Sequence, residues 1–216
     1  MKCIVAFLLL FRGLLSCAQQ PEAPYEKDIR TFEAEDRSAP PPRDAILFTG
    51  SSSIRFWNDL RQTFPDKKII NRGFGGSQMT DVLRYTDRII IRYRPRQVVL
   101  YVGDNDLAAG QSPQQVFDSL VTLFTRVRQA LPGTAFAYIA IKPSPSRRHL
   151  MPAAEETNTR IRQYLSRQPN TQFIDIYEPM LNAGRQPRPE LFLSDSLHLS
   201  PQGYALWAER VRPALK

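Results

Sequence analysis

The sequence predicts an α/β fold in which helices cover both faces of a parallel sheet, a three-layer sandwich. Short apolar runs of strand length recur along the chain, and most are too continuously apolar for a half-exposed sheet. Segments with helical spacing lie between these runs, and strands that alternate with helices imply right-handed crossovers and parallel pairing. The predicted strands are 45–49, 68–70, 97–102, 135–141 and 172–176.

Local end signals place two of the helices. Ser112 is a predicted N-cap, followed by Pro113 at the first helical position and by Gln115, which completes a capping box. Ser200 and Pro201 open the last helix in the same way. The buried face of the helix after Ser112 is marked by Val116, Leu120, Leu123 and Val127.

Length and composition favour one globular domain with a tail. The chain has 216 residues, 42% of them hydrophobic, which allows a sizeable core and excludes disorder. Two cysteines exclude a disulfide scaffold or structural zinc site, and two histidines leave little room for a metal centre. We therefore predict no metal and no cofactor.

The net charge of the chain is +8, and its basic residues include pairs such as Lys67-Lys68 and Arg147-Arg148. These residues are interpreted as solvated surface, and no nucleic-acid partner is expected.

Residues 1–16 are predicted to be a secretory signal peptide. Lys2 precedes an apolar run that is shorter than the ~20 residues of a membrane span. The segment Leu14-Leu15-Ser16-Cys17 resembles a bacterial lipobox, whose cysteine becomes an acylated N-terminus, and ordinary cleavage after Ala18 is the alternative. We expect an exported protein, which is periplasmic, secreted or a lipoprotein tethered to the membrane through Cys17.

The segment 17–42 is predicted to hold a tether and a lead helix. Residues 18–24 are polar and contain prolines, whereas Tyr25–Ser38 is charged and typical of an amphipathic helix. The proline run that begins at Pro40 ends this helix. The main domain is therefore expected to comprise residues 43–216.

Small and polar residues follow the predicted strands, where open parallel sheets bind their ligands. Gly50–Ser53 follows the first strand, Asn71–Gly76 the second and Gly103–Asp106 the third, and Asp195–His198 precedes the last helix. A serine becomes nucleophilic when a histidine takes its proton, and a carboxylate orients that histidine. Backbone N–H groups at glycine turns, together with a neutral asparagine amide, suit an oxyanion that develops during acyl transfer.

These blocks resemble those of the SGNH, or GDSL-type, hydrolase family from about residue 43 to 213. The resemblance assigns the nucleophile to Ser52, the base to His198, its orienting carboxylate to Asp195, and the oxyanion donors to Gly76 and Asn105. Within the family, the chain looks similar to acylhydrolases like the platelet-activating-factor acetylhydrolase catalytic subunit. The resemblance implies a flavodoxin-like sheet, metal-independent catalysis and a small-molecule, glycan or lipid ester as substrate.

Some assignments stay open at the level of sequence. Ser51 replaces the acidic residue that usually precedes the nucleophile, so three consecutive serines compete for that role. Gly73 and Gly75 compete with Gly76 in the same way, while His149, beside two arginines, is interpreted as an exposed loop residue.

Two alternative functions accompany the predicted serine esterase. One is a non-catalytic glycan- or lipid-binding protein on the same scaffold. The other is a phosphodiester hydrolase, although the sequence lacks the set of carboxylates and histidines that would bind its metal. Substrate choice is expected to depend on loops that include Lys142–Pro152 and Asn182–Leu193. The sequence carries no pattern that indicates an oligomeric state.

Overall fold

The computed structural model describes residues 22–216 and confirms the predicted three-layer α/β fold. Five parallel strands form one sheet in the order β2-β1-β3-β4-β5 within this part of the chain, which is the flavodoxin-like order. The strands are β1 (Ile46–Gly50), β2 (Ile69–Gly73), β3 (Gln97–Tyr101), β4 (Ala135–Ile139) and β5 (Thr171–Ile174).

Helices cover both faces of this sheet, as the sequence predicts. The α-helices are α1 (Glu26–Ser38), α2 (Ser52–Arg55), α3 (Leu60–Thr63), α4 (Met79–Ile89), α5 (Asp104–Ala108), α6 (Pro113–Ala130), α7 (Met151–Leu165) and α8 (Pro201–Val211). Helices α4, α6 and α7 pack side by side, with α4 against α6 and α6 against α7. Elsewhere, Trp207 of α8 packs on Tyr101 of β3 and on Trp57, which follows α2.

The predicted N-terminal caps of α6 and α8 are confirmed. The Ser112 hydroxyl accepts a hydrogen bond from the Gln115 N–H at 3.3 Å, and the Gln115 side chain accepts one from the Ser112 N–H at 2.8 Å. The Ser200 hydroxyl caps α8 by accepting from the Gly203 N–H at 3.2 Å. Each cap satisfies an N–H group that has no partner inside its own helix.

Strand β2 extends three residues beyond its predicted end. The apolar run stops at Ile70, but parallel pairing continues until Gly73 lies opposite Gly50 of β1. Arg72 is buried there because Asp36 of the lead helix pairs with its guanidinium and Tyr93 accepts a hydrogen bond from it at 2.8 Å. A charged residue can therefore be buried in this edge strand, because an ion pair and a hydrogen bond compensate for the loss of water.

The lead helix α1 packs onto the main domain. Ile29 is fully buried, and the guanidinium of Arg88 on α4 bonds the carboxylates of Glu26 and Glu33 at 2.7–2.9 Å. Just before α1, the ring of Tyr25 packs edge-on against Phe74, with 5.2 Å between the ring centroids. The beginning of the helix therefore lies beside the glycine turn that follows β2.

The predicted signal peptide, residues 1–16, and Cys17 lie outside the described residues. Among residues 22–216, no helix combines the length and the apolar character that crossing a membrane requires.

Candidate active site

Parallel pairing brings the loops after β1, β2 and β3 together at one edge of the sheet. Gly50 ends β1 with φ of +124°, a conformation that L side chains rarely adopt, and its Cα lies against the backbone of Tyr101. The chain then turns into α2, so Ser52 stands in the first turn of this helix. The close approach of two strand ends therefore sets the position of the serine.

The structure brings Ser52, His198 and Asp195 together from opposite ends of the chain. The Nε2 atom of His198 lies 3.1 Å from the Ser52 hydroxyl oxygen. Its Nδ1 atom lies 2.5 Å from an oxygen of the Asp195 carboxylate. These two contacts hold the imidazole between a hydroxyl and a carboxylate, an arrangement in which the ring can take the hydroxyl proton.

The other two serines of the triplet lie in different surroundings. Ser51 is fully buried, and its hydroxyl has no hydrogen-bond partner among the described residues. Ser53 is also buried, and its hydroxyl accepts a hydrogen bond from the Lys142 ammonium at 3.3 Å. Of the three hydroxyls, the one on Ser52 faces the histidine.

The loop that carries Asp195 and His198 holds its own carboxylate in place. The second carboxylate oxygen of Asp195 accepts hydrogen bonds at 2.9 Å from the N–H groups of Leu197 and His198. Hydrogen bonding to His198, followed by these backbone contacts, lowers the pKa of Asp195 to about 2. The carboxylate is therefore ionised beside the imidazole at neutral pH.

Asn105 lies at the start of α5, after β3, with its side-chain amide held on two sides. Its Nδ2 donates to the Ser77 carbonyl at 3.1 Å, and its Oδ1 accepts from Arg147 at 2.9 Å. Because an amide nitrogen carries two hydrogens, one N–H of Asn105 remains for a further acceptor. The side chain can therefore serve as an oxyanion donor.

Hydrogen bonding in the turn after β2 indicates which of Gly73, Gly75 and Gly76 has an N–H group available for an oxyanion. The Gly73 N–H already donates to the Asn71 side chain at 2.9 Å. The N–H groups of Gly75 and Gly76 have no acceptor within residues 22–216. Gly76 is exposed and has φ of +76°, so it occupies the left-handed region that favours glycine. These observations keep Gly76 as a donor candidate and disfavour Gly73.

Sequence reasoning missed a buried ionic cluster that contacts Ser53 and Asn105. The Lys142 side chain is 1% exposed, and its ammonium donates to Asp104 at 2.9 Å and to the Tyr101 hydroxyl at 3.0 Å. Arg147, interpreted from sequence as solvated surface, lies 3.2 Å from the same Asp104 oxygen with its side chain 20% exposed. Burial favours neutral Asp104, but the two neighbouring cations outweigh it and hold its pKa below the ordinary value.

The remaining titratable candidates lie apart from this chemistry. His149 is exposed in the turn Pro145–Leu150, as predicted. Asp106 is fully buried beneath the glycine turn, where one carboxylate oxygen accepts from the Met79 N–H at 2.9 Å. Across residues 22–216, no group of three His, Cys, Asp or Glu side chains could hold a metal ion.

An open groove of about 770 Å³ runs past His198 between the α2–α3 region and α8. Phe56 and Leu193 are exposed large apolar residues in its wall, and the Phe56 ring packs edge-on against the His198 imidazole at 5.1 Å. Asn58 and Asp59 contribute polar groups to the same wall. The groove can therefore accept a partly apolar group beside the histidine.

The sequence model of the GDSL-like Lipase/Acylhydrolase family matches residues 43–206. Among curated proteins, none matches the chain significantly.

Solved structures share the fold at low sequence identity. A protein from Streptococcus pneumonia whose name refers to platelet activating factor aligns with a TM-score of 0.78 and 22% identity, covering 88% of this chain and 92% of that one. A GDSL-like lipase from Bacteroides thetaiotaomicron aligns with a TM-score of 0.74 and 20% identity, covering 86% of this chain and 96% of that one. A catalytic mutant of an acetylxylan esterase from Geobacillus stearothermophilus aligns with a TM-score of 0.64 and 13% identity, covering 79% of this chain and 94% of that one.

The family match spans most of the chain, including the loops after β1, β2 and β3 and the segment that carries His198. The resemblance inferred from the sequence blocks is thereby confirmed. This chain belongs to the GDSL-like lipase/acylhydrolase family of ester hydrolases.

Proposed function

We propose that this protein is a serine esterase that hydrolyses carboxylic esters with Ser52 as nucleophile, His198 as general base and Asp195 as the orienting carboxylate. The observation that carries the proposal is the pair of short contacts of His198, 3.1 Å to the Ser52 hydroxyl and 2.5 Å to Asp195. The ionised carboxylate stabilises the imidazolium that forms when the serine loses its proton.

The first half of the reaction transfers the acyl group to the protein. The Ser52 oxygen attacks the ester carbonyl while His198 Nε2 takes the hydroxyl proton. The resulting oxyanion is stabilised by the remaining Asn105 N–H and by backbone N–H groups of Ser52 and Gly76. Collapse breaks the bond to the leaving alkoxide, which receives the proton from His198.

The second half releases the acid. Water attacks the acyl-Ser52 ester while His198 takes one of its protons, and the oxyanion donors act again. When the second tetrahedral intermediate collapses, the Ser52 oxygen leaves and recovers its proton from His198. The products are a carboxylic acid, an alcohol and the unchanged protein.

The groove beside His198 supports an acylated lipid or acylated carbohydrate as substrate. Because His198 protonates the leaving oxygen, the alcohol part of the ester lies next to the histidine and enters this groove. Its wall combines the apolar Phe56 and Leu193 with the polar Asn58 and Asp59, so it suits a group with one apolar and one polar face. A panel of acyl esters of glycerol, sugar and simple alcohols tests this choice.

Solved relatives give independent support for the serine and histidine. For the acetylxylan esterase of Geobacillus stearothermophilus, a serine-to-alanine form and a histidine-to-alanine form are both described as catalytic mutants. Both share the fold with this chain at a TM-score of 0.64.

A fluorophosphonate probe tests the nucleophile directly. Intact-mass measurements are expected to show one adduct on the wild type and on the controls Ser51→Ala and Ser53→Ala, and none on Ser52→Ala. Equal labelling of Ser52→Ala and the wild type would contradict the assignment. Binding of intact esters by an unlabelled wild type without turnover would instead support the non-catalytic binding alternative.

We also propose that the protein is exported and anchored through Cys17. The support is the sequence pattern of residues 1–17, with its short apolar run and lipobox-like end. Cys17→Ser is expected to move the expressed protein from the membrane fraction to the soluble exported fraction. An unchanged distribution would favour cleavage after Ala18 without a lipid.

A further inference from the structure

We propose that Arg147 is a positioning residue that orients and polarises the side-chain amide of Asn105 for oxyanion binding. This inference rests on the proposed esterase function, in which Asn105 is an oxyanion donor. The Arg147 guanidinium donates to the Asn105 carbonyl oxygen at 2.9 Å. Arg147 is thus assigned a role that acts through Asn105 rather than through contact with substrate.

Two partners of opposite type determine which way the Asn105 amide points. A guanidinium can only donate, so the atom facing Arg147 must be the amide oxygen. The Ser77 carbonyl can only accept, so the atom 3.1 Å from it must be the amide nitrogen. Without Arg147, the amide oxygen loses its charged partner and the side chain gains rotational freedom.

The guanidinium also strengthens the amide as a donor. A cation that bonds the carbonyl oxygen draws electron density away from the nitrogen, which makes the remaining N–H a better partner for a developing oxyanion. Arg147 and Lys142 face one buried carboxylate, Asp104, at 3.2 and 2.9 Å. The cluster therefore carries one net positive charge directly behind the proposed oxyanion donor.

The loop that presents Arg147 is tied to the loop that presents His198. Both the N–H and the hydroxyl of Ser146 donate to the Ser196 carbonyl, at 3.1 and 2.9 Å. Ser196 lies between Asp195 and His198 and has φ of +57°. A single turn, Pro145–Leu150, thus contacts the proton-transfer side of the site through Ser146 and the oxyanion side through Arg147.

Kinetics of Arg147→Met and of its matched control Arg148→Met test the role. Arg148 is the next residue in the same turn, carries the same charge and is exposed. We expect Arg147→Met to lower kcat on a soluble ester about tenfold with KM changed less than about twofold, and Arg148→Met to change neither. Arg147→Lys, which keeps the charge without the planar fork, is expected to recover part of the loss.

A double-mutant cycle separates positioning from general destabilisation. Asn105→Ala is expected to lower kcat by about 10²–10³, and adding Arg147→Met to it should lower kcat less than about twofold further. A full tenfold loss in the Asn105→Ala background, or equal losses for Arg147→Met and Arg148→Met, would overturn the proposal.

A measurement without turnover keeps the inference distinct from the proposed esterase activity. The side-chain NH₂ signals of Asn105 in a ¹⁵N NMR spectrum are identified by their absence in Asn105→Ala. We expect Arg147→Met to shift these signals and Arg148→Met to leave them in place. Unchanged Asn105 signals in Arg147→Met would refute the positioning role, whatever esters the protein hydrolyses, whereas a wild type without esterase activity would refute only the proposed function.

Discussion

Asp106 is expected to make the stability of this protein depend on pH in a window where most carboxylates do not titrate. The side chain is fully buried in α5, and one of its oxygens has no hydrogen-bond partner among the described residues. Burial is the largest of the effects that together raise its pKa from 3.8 to about 6. The hydrogen bond from the Met79 N–H opposes this rise without cancelling it.

The sign follows from comparing the folded and unfolded chains. Between about pH 4 and pH 6, the folded protein holds the Asp106 proton while the unfolded chain has lost it, so the free energy of unfolding falls as pH rises. The difference between 6 and 3.8 corresponds to about 3 kcal/mol at 1.36 kcal/mol per pKa unit. Asp195 acts in the opposite direction, but its lowered pKa of about 2 means that its stabilisation is lost only below about pH 4.

Urea unfolding of the wild type and Asp106→Asn at pH 4 and pH 7 measures this contribution. Asparagine can still accept from the Met79 N–H but cannot ionise. Between pH 4 and pH 7 the difference in unfolding free energy between the two proteins should therefore change by about 2 kcal/mol in favour of the variant, because the rest of the effect lies below pH 4. The exposed Asp118→Asn is the control and should show no such change. A wild-type-minus-variant difference that is the same at both pH values would refute the reasoning.

Three further changes test other parts of the molecule. In ester hydrolysis assays, His198→Ala should lower kcat by about 10³ or more, whereas the control His149→Ala, at an exposed histidine, should change kcat less than about twofold. Comparable losses for the two variants would contradict the assignment of His198 as the general base. Gly50→Ala should lower the free energy of unfolding by more than ~2 kcal/mol in urea titrations, because the residue has φ of +124° and the new methyl group would overlap a backbone oxygen of β3. Gly133→Ala is the control, because its new methyl group would lie in open space. Ala208→Phe narrows the groove beside His198 and should raise KM for esters of bulky alcohols more than for methyl esters, whereas equal changes would place the alcohol elsewhere.

Much of the fold could be predicted because its signals are local. Continuous apolar runs identified all five strands, and the caps at Ser112 and Ser200 located the beginnings of α6 and α8. The end of β2 could not be predicted from its apolar run. Arg72 continues that strand only because Asp36, on a helix 36 residues earlier, neutralises it there.

The candidate site was predictable where chemistry requires a particular residue type after a strand. Ser52, Asn105 and His198 belong to short blocks with recognisable spacing, and the structure brings the side chains of Ser52 and His198 within hydrogen-bond distance. The family resemblance favoured Ser52 over its two neighbours, whereas the fold shows which of the three hydroxyls points towards the histidine. Lys142 and Arg147 carried no comparable signal, because a basic residue in a loop is usually solvated.

The sequence by itself therefore determined the strand-and-helix order, the parallel sheet and the residue types that can transfer an acyl group. Tertiary structure decided which serine faces His198, which glycine N–H is already bonded and which basic residues are buried against Asp104. The division has a physical reason. Helix caps and apolar periodicity act over a few residues along the chain, whereas the partners of Lys142 come from the ends of β1 and β3, 38 to 89 residues away, and meet only when the strands pair.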